Sequence, residues 1–137
     1  MVSSKKIIED LKALSSYEVV LFGSFAKNES TLKSDIDVAV ITKIKDKKKN
    51  KRIWYRLLGK IHHKYDIKVF EILPLPIQIE IINNYRVVFG NPLSISEYFY
   101  HFRKLWKDVE KRYKENQFSS IKEKKEALQR TKASLKS

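Results

Sequence analysis

Asp35 and Asp37 stand one residue apart in SDIDVAV, and Gly23-Ser24, ten residues upstream, closes the apolar run YEVVLF. In a strand, residues i and i+2 share a face, so the two carboxylates would project side by side with their Cα atoms about 7 Å apart. Like charges so placed repel unless a cation joins them, and Mg²⁺ favours carboxylates together with phosphate oxygens. Gly23 has no side chain, so the backbone can turn sharply there and a bulky anion can come close. Ser24 would then open a helix, where free N–H groups and its own hydroxyl hold phosphate oxygens. The spacing predicts a phosphate cradle and a metal platform on neighbouring strand ends. Alone, either half is a weak signal; joined at this spacing, each after an apolar run, they are specific.

Those residues need elements to hold them. Ile7, Ile8, Leu11 and Leu14 fall at helical spacing within residues 4–14, which predicts an amphipathic helix. Strands are expected at 17–23 (YEVVLFG), 35–42 (DIDVAVIT), 65–73 (YDIKVFEIL) and 85–92 (YRVVFGNP). DIDVAVIT is apolar enough on both faces to lie inside a sheet. The segment 43–52, KIKDKKKNKR, reads as an exposed loop leading into a helix with a buried stripe of Ile53, Trp54, Leu57, Leu58 and Ile61. Pro76 suits the first turn of a helix in IQIEIINN. From residue 94 the texture becomes helical, with S-x-x-E capping boxes at Ser94/Glu97 and Ser120/Glu123. These predict two helices, the second with a thin face of Ile121, Leu128 and Leu135 that a partner or a second copy of the chain would complete. The expected architecture is α/β (α+β): a small mixed sheet of about four strands with helices packed on it over residues 1–93, then a helical extension over 94–137.

Composition narrows the partners. The 137 residues contain no cysteine, which removes disulfides and thiolate ligands from consideration. No apolar run approaches a membrane span and the first residues lack a signal-type apolar core, so a cytoplasmic protein without membrane contact is expected. The net charge is +13. Residues 1–93 hold 17 Lys+Arg against 10 Asp+Glu and residues 94–137 hold 12 against 6, so the excess is spread along the chain. Such a field attracts a nucleotide, a nucleic acid or an acidic protein, and equally describes a Lys-rich solvated surface. Charge alone selects no partner.

The joined pattern GSFAKN, ESTLK, SDIDV resembles the minimal nucleotidyltransferase (MNT) domains of the DNA polymerase β-like nucleotidyltransferase superfamily, in particular the MntA antitoxin type. Their pattern looks like GSxARG, a short loop, then SDxDL. Lys27 stands where Arg is usual and keeps the positive charge; Asn28 stands where Gly is usual and tolerates left-handed backbone. The resemblance covers residues 17–93. It implies a third carboxylate opening a nearby strand, which is Asp66 in YDIKVFEI, with Lys68 on the same face. Asp35, Asp37 and Asp66 are then the catalytic acids and the metal ligands, for one or two Mg²⁺ ions. Gly23, Ser24, Lys27 and Lys68 are the nucleotide contacts. The implied activity is transfer of an NMP, AMP with ATP as substrate, onto a hydroxyl such as a tyrosine of a HEPN-type partner protein, in an antitoxin role. The alternative is a non-catalytic module that keeps the fold and binds nucleotide, RNA or protein. Glu71 lies on the opposite strand face in this reading, as a solvent or partner contact. His62 and His63, adjacent on a helix, are read as surface residues.

Overall fold

The computed structural model describes residues 3–26 and 35–135, with only the backbone of Phe25 and of 130–135. The elements run α1 (Ser4–Asp10), a 3₁₀ turn (Lys12–Leu14), β1 (Glu18–Phe22), α2 (Gly23–Ala26), β2 (Ile36–Ile41), α3 (Lys47–Leu58), β3 (Tyr65–Val69), a 3₁₀ turn (Phe70–Ile72), α4 (Leu75–Asn83), β4 (Arg86–Phe89) and α5 (Pro92–Leu135). The sheet order is β3-β2-β1-β4. β2 runs antiparallel to β1 and parallel to β3, and β4 is antiparallel to β1. This is the mixed four-stranded sheet that the sequence predicts, with α3 making the crossover that a parallel pair requires.

The two faces of the sheet divide the work. Val38 and Val40 of β2, Tyr65 and Ile67 of β3, and Val19 and Leu21 of β1 share one face. That face is buried against Ile7 of α1, Leu11 just after it and Leu57 of α3. The alternate residues Asp37, Asp66 and Lys68 occupy the other face. Around Phe70, fully buried just after β3, a second cluster forms from Phe99 and Phe102 of α5, each with its ring centroid 4.9 Å away.

Four expectations are corrected. β3 stops at Val69 instead of running to 73, because Phe70 turns inward as an anchor and Glu71 turns to meet the backbone leaving β2. The basic segment 43–52 is loop only to Asp46, whose carboxylate caps α3 by accepting from Lys48 N at 2.9 Å and Lys49 N at 3.3 Å. Leu58, expected in the buried stripe, is exposed at the last position of α3. The helical region is one helix, α5, capped by Asn91, whose Oδ1 accepts from Leu93 N and Ser94 N at 2.9 and 3.2 Å. Ser94 and Ser120 lie inside it, and no Gly or Pro between 93 and 135 supplies a break. The chain divides into two compact units, Met1–Arg103 and Lys104–Ser137.

Candidate active site

The site begins where β1 becomes α2. Gly23 has φ of +70°, the left-handed conformation that side chains disfavour. A Cβ built on Gly23 would run into Asp37 Oδ2 and lie 3.2 Å from Asp37 Cγ. The glycine is therefore required twice, once by its backbone and once by the carboxylate lying over it. Phe22, just before it, is the register partner of Asp37 on β1. Ser24 follows in the first turn of α2, half-buried.

Asp37 and Asp66 are direct neighbours across the parallel β2–β3 pair. Parallel register brings two residues of equal depth onto one face, so two carboxylates that are 29 positions apart in the chain stand side by side. Burial, and then the charge of Asp66, push the Asp37 carboxyl above the usual carboxylate range, with Asp35 adding to the repulsion. Lys68 opposes the shift. Its Nζ is 3.8 Å from Asp66 Oδ2, with both side chains substantially exposed, so the pair lends orientation more than stability. Asp35 is exposed, one residue before β2 begins. Among the described residues no three His, Cys, Asp or Glu side chains are already gathered into a metal cage. Of the three expected acids, then, the fold pairs two and leaves the third at the mouth of the strand. The donor chemistry suits Mg²⁺: hard carboxylate oxygens, crowded enough to raise one pKa, beside an open backbone turn. Lys27 lies outside the described residues.

Two readings of other residues change with the structure. Glu71 is no solvent contact. Its Oε1 accepts from Thr42 N (3.1 Å) and Thr42 Oγ1 (3.2 Å), and its Oε2 from Lys43 N (2.9 Å) and Tyr98 Oη (2.7 Å). It ties the end of β2 to α5, at the opposite end of the strands from Asp37 and Asp66. His62 and His63 lie past the end of α3 and not on a helix, but are exposed as expected, with their rings stacked at a centroid distance of 4.1 Å. The sequence reading did not single out Phe22; its signal was the position directly before Gly23, which the antiparallel register sets against Asp37.

A model of the family described as "Polymerase beta, Nucleotidyltransferase" matches residues 5–92. The chain belongs to this polymerase β-type nucleotidyltransferase family. It is similar to "Putative protein adenylyltransferase MJ1547" of Methanocaldococcus jannaschii, with 49% identity over 108 residues that cover 79% of this chain and 84% of that protein. Its fold is similar to that of a chain in the crystal structure of a toxin–antitoxin with AMP-PNP (TM-score 0.62, 16% identity, 81% of this chain and 92% of that one). It is also similar to a chain in a complex of tri-AMPylated Shewanella oneidensis HEPN toxin with MNT antitoxin (TM-score 0.55, 15% identity, 80% and 87%). At these identities the two structures speak for the fold. No helix among the described residues is long and apolar enough to cross a membrane.

Proposed function

We propose that this nucleotidyltransferase moves AMP from ATP onto a protein hydroxyl, that of a tyrosine on a HEPN-type partner, and so acts as an antitoxin. The observation that carries the reading is the register pair Asp37–Asp66, with the Asp37 carboxylate lying over the Gly23 turn. The name of the Methanocaldococcus relative supports AMP and a protein acceptor, and the AMP-PNP and AMPylated-toxin complexes support ATP and a HEPN partner.

In this proposal the turn at Gly23-Ser24 receives the triphosphate, and Lys27 and Lys68 meet its oxygens. Asp37 and Asp66, with Asp35 at the mouth of β2, would hold Mg²⁺. When bound, the ion supplies charge neutralisation for the phosphates and relieves the repulsion between the acids. Asp66, beside Lys68, accepts the proton of the acceptor hydroxyl. The freed oxygen bonds to the α-phosphorus, the bond to the bridging oxygen breaks, and pyrophosphate leaves.

Asp66→Asn tests the assignment. It should leave ATP–Mg²⁺ binding within a few-fold and lower label transfer from radiolabelled ATP by about 10²–10⁴. The acceptors are the cell's own proteins and RNA, so that the acceptor class is read out directly. Label that survives Asp66→Asn refutes this base, and label found on RNA alone refutes the protein acceptor.

A further inference from the structure

The outer side of α3 has no part in the transfer site. Six of its twelve residues are Lys or Arg and none is acidic. Leu57 and Asn50 are buried, and Trp54 Nε1 donates to Ile67 O at 2.6 Å, which fixes the rotation of the helix. At 100° per residue, Lys48, Arg52 and Tyr55 then form the centre of the solvent side, flanked by Lys51 and Arg56. All five are exposed, Tyr55 to 67%. Asp46, the nearest acid in sequence, spends its carboxylate on the helix cap. Among the described residues no acid lies within ion-pair distance of these cations.

This arrangement works against the helix. Lys47–Lys51, Lys48–Arg52 and Arg52–Arg56 are like-charge i,i+4 pairs, and cations in the first turn oppose the helix dipole. A polyanion removes both penalties. A protein partner would need an apolar centre depleted of charge, and this centre is cationic with one aromatic ring. Unpaired bases stack on such a ring while their phosphates meet the cations.

We propose that the outer face of α3 binds single-stranded nucleic acid, with phosphates on Lys48, Lys51 and Arg52 and an unpaired base on Tyr55. The face packs its inner side against the Val38–Ile67 surface of the sheet, whereas Asp37 and Asp66 occupy the other surface. Nucleic-acid binding and nucleotidyl transfer are therefore separable.

The test is fluorescence anisotropy of the full chain with a labelled mixed-sequence single-stranded RNA, its DNA counterpart and a duplex, over a salt series. The parent should prefer the single strands. Lys48→Gln/Lys51→Gln/Arg52→Gln should lower the log–log salt slope by about 2. Tyr55→Ala should weaken binding about 5- to 150-fold, and Tyr55→Phe should restore it. Melting temperature should hold or rise in the charge variant, because it removes repulsion, and transfer activity should be unchanged. Lys122→Gln/Lys124→Gln/Lys125→Gln, an equal charge change on α5, where acids are interspersed with the lysines, is the control and should change binding little. No binding by the parent, loss in the α5 control but not in the α3 variant, or equal affinity for duplex with a silent Tyr55→Ala each overturns the proposal. So does competition by polyglutamate more effective than by RNA, which would assign the face to an acidic protein.

Discussion

Adding one methyl group at Gly23 tests the geometry of the site most directly. Gly23→Ala must hold alanine at φ of +70°, which costs about 1–2 kcal/mol for a residue with a Cβ. The new methyl also runs into the Asp37 carboxylate, an overpacking contact that costs about 1–3 kcal/mol more. The total loss is therefore about 2–5 kcal/mol. In an Asp37→Ala background the carboxylate is gone, so only the backbone part remains and Gly23→Ala should cost about 1–2 kcal/mol. Denaturant unfolding of the parent, both single variants and the double variant, in cation-free buffer, gives the coupling. It should be about 1–3 kcal/mol, in the range for residues in contact. The same methyl displaces Asp37 and should lower transfer by roughly 10² if that carboxylate acts at the reacting centre. Equal losses in the two backgrounds would refute the close approach of Asp37 to the turn.

Asp37 has its carboxyl raised by burial and by Asp66, so the folded state binds a proton more tightly than the unfolded chain. This stabilisation is present at low pH and is lost as pH rises through the folded-state value. Asp37→Asn should flatten that decline in a pH series of melting curves, and Mg²⁺ should raise the melting temperature of the parent but not of the variant. Glu71→Ala leaves Thr42 N, Lys43 N and Tyr98 Oη without their shared acceptor. It should cost about 3 kcal/mol or more by denaturant unfolding, with transfer per folded molecule unchanged; a selective loss of transfer would put Glu71 in the site.

What the sequence determined by itself is local. Short apolar, β-branched runs placed β1, which Gly23 closes, and β2, because strands inside a sheet are covered on both faces and read as nearly continuous apolar stretches. The GSFAKN–SDIDV spacing named the turn and the acids, since a phosphate-binding turn and a carboxylate pair each need particular residue types within a few positions. Helix ends were less legible. The Ser94 and Ser120 boxes are valid signals that Asn91, and an uninterrupted run of helix formers, override. Only the tertiary structure decided which carboxylates meet. Asp35 and Asp37 are neighbours in sequence, yet the crowded pair is Asp37–Asp66, because parallel register sets side by side residues that the chain keeps 29 positions apart. The same holds for Gly23, where the nearest obstacle to a side chain is Asp37 on the adjacent strand. It holds also for Glu71, whose four donors come from β2's end and α5. A buried strand can be read from one segment; contact between segments depends on register, and register is fixed only when the whole sheet closes its core.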